Sequence, residues 1–287
     1  MKVTVLEPCG YCSGVERAMK MAIETKENNP DKNVVVLGML VHNEDSLKQL
    51  EKHGIKTIFK QNCSIEQLVD EIKEPSTVIL TAHGHSKTVE EKLLKNGHKV
   101  VDATCPFVKK SFSEIENAVK NGQSVFYFGV KNHPEAVAAL SLSKKVFLID
   151  IKDPQIPEVS DNSPLVISQT TLSRFETEEV YKEIKQKYPN AKILNGICHA
   201  STQRQESLMH LDDDVDLVYI VGGANSNNSK TLFNLAKSFY PNKRVELIQN
   251  ADNVNKKDLL GLSHIVISSG ASTPKEIINQ IKNKLLN

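Results

Sequence analysis

Hydrophobic residues along this chain fall into short continuous runs separated by longer amphipathic stretches. Val34–Gly38, Val78–Thr81, Val125–Gly129, Val146–Asp150, Leu165–Ser168, Leu217–Gly222, Val245–Ile248 and Ile265–Ser268 are brief and rich in β-branched residues. Val3–Leu6 opens the chain in the same way. Such runs predict strands buried on both faces. Between them, Gly14–Asn28, Phe107–Asn121, Leu172–Tyr188, Ser229–Phe239 and Pro274–Leu286 predict helices. In the second of these, Phe107, Val108, Phe112, Ile115 and Val119 share one side at helical spacing. Strand and helix alternate throughout, which predicts an α/β fold with mainly parallel sheets.

A longer period lies over this pattern. Cys12, Cys105 and Cys198 are each 93 residues apart, and each sits between a strand-like and a helix-like run. A polar site follows each cysteine after 28–30 residues: His42, His133, and the run Asn225-Ser226-Asn227-Asn228. A second polar loop follows 65–74 residues after each cysteine, at His83, Thr170 and Ser272. The chain therefore reads as three related α/β units: residues 1–99, 100–191, and 192–287 with a C-terminal helix. Each supplies one cysteine and two polar groups at the C-terminal ends of strands, the edge where open α/β sheets bind ligands. Three such edges facing inward predict one central site with near-threefold symmetry.

Length and composition fit a soluble globular protein: 287 residues, 39% hydrophobic and 25% charged. The net charge of +1 and the scattered lysines predict no nucleic-acid or membrane-surface partner. No run approaches 18 apolar residues, and the N-terminus enters a strand without a signal-like region, which predicts a cytoplasmic location. In a reducing compartment, five cysteines point to metal or catalysis rather than disulfides.

Three matched thiolates with no fourth suggest a metal centre with one open position. Thiolates select zinc or iron–sulfur, and a helix N-terminus lowers a cysteine's pKa. Ser13-Gly14-Val15-Glu16 fits a capping box after Cys12, and Pro106 suits the first turn after Cys105. Cys9, although it forms a C-x-x-C pair with Cys12, and Cys63 have no counterparts in the other units. His42, His83 and His133, with hydroxyls and amides at the helix starts near Ser226 and Ser272, suit an anion such as phosphate. Glu135, two residues from His133, is the candidate acid, and Thr170 a hydroxyl relay between it and a substrate.

The ordered motifs Gly10-Tyr11-Cys12-Ser13, Val41-His42-Asn43, Ala82-His83-Gly84, Asp102-Ala103-Thr104-Cys105-Pro106, His133-Pro134-Glu135, Gln169-Thr170-Thr171, Ile197-Cys198, Asn225-Ser226-Asn227-Asn228-Ser229 and Gly270-Ala271-Ser272 span nearly the whole chain. Together they resemble the 4-hydroxy-3-methylbut-2-enyl diphosphate reductases, which perform the last step of non-mevalonate isoprenoid precursor synthesis. The resemblance implies a trefoil of three pseudo-threefold-related α/β units around one central [4Fe-4S] cluster per chain, held by Cys12, Cys105 and Cys198. It implies reductive removal of the substrate's allylic hydroxyl to give isopentenyl and dimethylallyl diphosphate. It also implies a diphosphate bound by His42, His83, His133, Ser226, Asn227, Asn228 and Ser272, Glu135 as proton donor with Thr170 as relay and a substrate contact, and His133 among the catalytic groups. Ferredoxin or flavodoxin would be the electron donor. Asn227 stands where many members have a second serine, and Cys9 where an arginine or a small residue is common. A non-enzymatic metal- or cluster-binding sensor would use the same thiolates, and a cysteine hydrolase would use Cys12 alone. The sensor would not explain the phosphate-type loops or Glu135, and the hydrolase needs a single privileged Cys–His pair where the sequence offers three equivalent ones.

Overall fold

The computed structural model describes residues 1–61 and 63–287. Twelve strands form among them: β1 (Lys2–Val5), β2 (Val34–Leu37), β3 (Lys56–Ile58), β4 (Thr77–Leu80), β5 (Lys99–Asp102), β6 (Val125–Gly129), β7 (Val146–Asp150), β8 (Leu165–Ser168), β9 (Lys192–Leu194), β10 (Leu217–Val221), β11 (Arg244–Ile248) and β12 (His264–Ser269). They make three four-stranded sheets in which every pairing is parallel. The strand orders are β3-β2-β4-β5, β7-β6-β8-β9 and β11-β10-β12-β1.

These orders are one topology written three times. The fourth strand of each sheet, β5, β9 or β1, is the strand that runs into Cys105, Cys198 or Cys12. Each cysteine thus follows the edge strand of one sheet and precedes a helix, Pro106–Lys120, His199–Ser207 or Ser13–Glu27. The N-terminal strand closes the pattern by pairing with β12 in the register Lys2↔His264 to Val5↔Ile267.

Two compact units form. One comprises Met1–Glu16, Val41–Gln49 and His199–Asn287, and the other Arg17–Leu40 and Leu50–Cys198. In the first, Leu217, Tyr219, Val221, Ile265 and Ile267 pack against Ile278, Ile281 and Leu285 of the helix Lys275–Leu286. The other side of the same sheet buries Val218, Ile220 and Val266 against Leu232 and Ala236. In the second unit, Val125 and Tyr127 face Ile115, Ala118 and Ala136, while Phe126 and Phe128 face Val180, Ile184 and Tyr188. Burial on both faces is why these strands read as unbroken apolar runs. Each fully buried aliphatic side chain contributes about 1.5–3 kcal/mol. Among the described residues, no helix is long and apolar enough to cross a membrane.

Candidate active site

The three cysteines share one backbone contact. The N–H of Cys105 donates to the carbonyl of Ala82 at 3.0 Å, that of Cys198 to Thr170 at 3.0 Å, and that of Cys12 to Ala271 at 3.0 Å. Every acceptor lies in the second polar loop of a repeat, beside or at His83, Thr170 and Ser272. The fold therefore binds each cysteine segment to the loop carrying a candidate substrate group. All five cysteines are free thiols, and Cys12, Cys105 and Cys198 are partly exposed. The carbonyls of Cys12 and Cys105 accept from Glu16 and Lys109 at 2.8 and 3.0 Å, so these two residues sit at the caps of their helices. Cys198 directly precedes its own helix. Positive helix ends at three soft donors suit a thiolate-bound metal group.

In the first unit, the helix Asn227–Phe239 is capped by Ser226, whose Oγ accepts from the N–H of Ser229. Gly222 and Gly270 both lie against the Ser229 side chain, so a Cβ at either position would strike its hydroxyl. That close approach presses the two loops together. Asn228 bridges them: its Oδ1 accepts from Ala271 N at 2.9 Å and its Nδ2 donates to Ser201 Oγ at 3.1 Å. The Ser272 hydroxyl donates to the carbonyl of His42 at 3.4 Å. Asn227 Nδ2 is buried with no hydrogen-bond partner among the described residues. A buried amide donor left unpaired costs about 1–3 kcal/mol, which an acceptor from a ligand would recover. Burial, with Lys230 nearby, lowers the pKa of His42 to about 4. The ring is therefore neutral at neutral pH, and an approaching dianion would raise its proton affinity.

In the second unit, His83 and His133 meet edge to face, with ring centroids 5.4 Å apart. His133 caps the helix Pro134–Ser141, its Nδ1 accepting from Glu135 N at 3.2 Å. With Nδ1 accepting, the neutral ring carries its proton on Nε2, which is then a donor. Glu135 is completely buried. Its Oε1 accepts from Tyr127 Oη and from Thr170 N, both at 2.9 Å, and its Oε2 from Thr170 Oγ1 at 2.7 Å. Burial raises its pKa, against the opposing pull of the Thr170 and Tyr127 hydrogen bonds. Glu135 and Thr170, 35 residues apart in the chain, thus form one hydrogen-bonded pair, and Cys198 is tied to Thr170.

Two residues of this region carried no signal in the sequence. Tyr127 reads as one more strand residue, because a phenol's partner depends on the fold. Arg204 lies in a polar stretch after Cys198 and is 1% exposed. Its Nη2 donates to the carbonyl of Gly10 at 2.7 Å and its Nη1 to that of Ala200 at 3.0 Å. Ser269 Oγ accepts from Gly10 N at 3.1 Å, and Tyr11 Oη pairs with Ser46 Oγ at 2.8 Å. The segment entering Cys12 is therefore fixed residue by residue. Arg204→Met is expected to strand the Gly10 carbonyl and to destabilise the folded chain by about 2–3 kcal/mol, read as a lower midpoint in urea.

The cysteines outside the repeat are placed differently. Cys63 is exposed. The Cys9 thiol donates to Glu7 Oε1 at 3.4 Å, and burial, with this carboxylate beside it, raises the thiol pKa. Asp212, Asp214 and His264 also cluster, but the Lys2 ammonium lies 3.2 and 3.7 Å from the two carboxylates. Buried His264 pairs with Asp214 and Thr4 and is a structural residue.

Three parallel sheets of one topology, each ending in a helix-capping cysteine tied to a polar loop, define an α/β protein with a repeated thiol site. A family model described as "LytB protein" matches residues 3–286. The chain belongs to the LytB family. It is 34% identical to the 4-hydroxy-3-methylbut-2-enyl diphosphate reductase of Malacoplasma penetrans, covering 98% of this chain and 96% of that one. With the reductase of Aquifex aeolicus the identity is 33%, over 99% and 95% of the two chains. Among solved structures, the E-1-hydroxy-2-methyl-but-2-enyl-4-diphosphate reductase of Plasmodium falciparum superposes with a TM-score of 0.88 at 26% identity. That match covers 100% of this chain and 88% of the other. A second, described as (E)-4-hydroxy-3-methyl-but-2-enyl diphosphate reductase, the terminal enzyme of the non-mevalonate pathway, gives a TM-score of 0.68 at 32% identity, over 100% and 99%. The fold and the family are those expected from the motifs.

Proposed function

We propose that this protein is a cytoplasmic reductase that converts 4-hydroxy-3-methylbut-2-enyl diphosphate to isopentenyl and dimethylallyl diphosphate. The reaction takes up two electrons and two protons and releases water. The observation that carries the site assignment is the threefold contact of Cys12, Cys105 and Cys198 with the loops of Ala271, Ala82 and Thr170. It ties the backbone of each cysteine to a loop that carries a candidate substrate or proton-transfer group, which supports the assignment. The named relatives support the reaction.

Cys12, Cys105 and Cys198 would hold one [4Fe-4S] cluster. Their number, their free thiols and their places at helix starts fit such a group. When bound, the cluster supplies a Lewis-acidic iron and a path for electrons, since three protein ligands leave one iron for substrate. Ferredoxin or flavodoxin would provide the electrons.

The remaining work belongs to the side chains. Neutral His42, the unpaired Asn227 amide, Ser226 and Ser272 would bind diphosphate oxygens, helped by the N-terminus of the helix Asn227–Phe239. Asn228 would add its second N–H while holding the two loops together. His133 would donate from Nε2, with His83 against its ring. Burial keeps a share of Glu135 protonated above the ordinary carboxyl range, so it can deliver a proton through the Thr170 hydroxyl.

Anaerobic purification followed by metal analysis and a turnover assay tests the proposal. A brown protein with about four irons per chain that consumes the hydroxylated diphosphate under chemical reductant is the expected result. A colourless protein with stoichiometric zinc and no turnover overturns it.

A further inference from the structure

Tyr127 occupies the middle of β6 and is completely buried. Its neighbours Phe126 and Phe128 fill the opposite face without a hydroxyl, so packing in this strand does not call for one. A phenol O–H placed in an apolar core is costly unless it is paired. Here it points at one atom, Glu135 Oε1, from 2.9 Å. The same oxygen already accepts from the rigid backbone N–H of Thr170. The other oxygen, Oε2, meets the Thr170 hydroxyl, at 2.7 Å.

The two oxygens are therefore unequal. A carboxylic acid has one carbonyl oxygen, a good acceptor of two hydrogen bonds, and one hydroxyl oxygen, which must donate. With two donors aimed at Oε1, that atom is the carbonyl oxygen of the acid, and the proton sits on Oε2. Burial keeps the phenol protonated and so permanently a donor. We infer that Tyr127 is a positioning residue for the reaction: its hydroxyl confines the Glu135 proton to Oε2, the oxygen facing Thr170.

This rests on the reading of Glu135 as proton donor and adds the direction of transfer. In the step, the Glu135 Oε2–H bond breaks as a new bond to Thr170 Oγ1 forms. The hydroxyl's original proton passes to the substrate's hydroxyl oxygen as its C–O bond breaks, so that this oxygen leaves as water while the external reductant supplies the two electrons and a second proton replaces the lost bond at carbon. Glu135 is left as a carboxylate, accepts from Tyr127 and both Thr170 donors, and regains a proton from solvent. The groups bonded to the Glu135 carboxyl among the described residues are Tyr127 from β6 and Thr170 from the loop after β8, while His133, at the start of the same helix, accepts from the Glu135 backbone N–H.

Tyr127→Phe keeps the ring and removes only the O–H, and Tyr127→Leu removes the ring as well. Both are compared with Glu135→Gln in the full chain, by infrared spectroscopy with and without the cluster and by the pH dependence of turnover. The acid carbonyl band, identified by its absence in Glu135→Gln, is expected to move to higher frequency in both Tyr127 variants, because a donor to that carbonyl is gone. Turnover is expected to fall about five- to tenfold, the value of one buried hydrogen bond in the transition state, with KM unchanged. The alkaline limb is expected to move to higher pH, because the lost bond favoured the carboxylate. An unmoved band and an unmoved limb, with Glu135→Gln inactive, overturn the role of Tyr127 while leaving that of Glu135 intact. Near-normal turnover of Glu135→Gln removes Glu135 as proton donor and this inference with it.

Discussion

Glu135→Gln is expected to lose turnover by about 10²–10⁴-fold, the usual contribution of a positioned acid, while its iron content and brown colour stay unchanged. The substitution is unusually clean here. A glutamine oxygen can accept from Tyr127 Oη and Thr170 N as Oε1 does, and its amide can donate to Thr170 Oγ1 as the protonated Oε2 would. Every hydrogen bond of the acid form survives, and only the transferable proton is lost. Steady-state kinetics on cluster-loaded protein, with iron measured on the same sample, make the check.

The pH dependence follows from the same carboxyl group. Its pKa is raised by burial, so the folded chain holds this proton more tightly than the unfolded chain does. The activity that depends on the acid form should fall as pH rises past the raised value. The group's contribution to stability is complete below the ordinary glutamate pKa. It declines as pH climbs to the raised one, and is flat above it. Glu135→Gln should remove that segment of the stability-versus-pH curve. A curve of unchanged shape would mean that the carboxyl does not titrate as its surroundings require.

Cys105→Ser is expected to abolish both cluster retention and turnover, whereas Cys63→Ser is expected to change neither. A serine hydroxyl is a poor substitute for a soft thiolate. The Cys105 segment also has no freedom to recruit another ligand: Thr104 N donates to Asp102 Oδ1 at 2.8 Å, Arg17 Nη1 to the Thr104 carbonyl at 3.2 Å, and Cys105 N to Ala82 at 3.0 Å. Exposed Cys63 has no counterpart in the other repeats. Iron analysis and the visible absorbance of the two variants, purified anaerobically side by side, decide the matter. A fully loaded Cys105→Ser would remove this residue from the ligand set.

Which features were legible from the chain alone follows a physical rule. The central strands were, because burial on both faces demands unbroken β-branched runs such as Val125–Gly129 and Leu217–Val221. The strand Lys56–Ile58 was not, and Lys99–Asp102 and Lys192–Leu194 showed only as strand-like runs without defined bounds before Cys105 and Cys198. They lie at sheet edges, have three or four residues, begin with an exposed lysine and are only partly buried. Their local pattern is too short and too polar to stand out. The helix Glu44–Lys52 was missed for a similar reason, and of Lys87–Lys95, Pro134–Ser141 and His199–Ser207 only the starts were legible, all having only eight or nine residues. Tyr127 and Arg204 were hidden because their roles lie in partners 8 and 194 residues away.

The sequence by itself determined the repeat: three cysteines at one interval, two polar columns behind them, and the strand-and-helix alternation that sets them at strand ends. Those features are chemical identities at fixed spacings, and spacing is what a chain records directly. Only the tertiary structure decided how the repeats are closed. It paired the N-terminal strand with β12, joined each cysteine's N–H to a loop of another segment, and brought Tyr127 and Thr170 together on the Glu135 carboxyl. Those choices depend on which long-range hydrogen bonds satisfy buried groups, and a buried donor finds its acceptor only when the chain has folded around it.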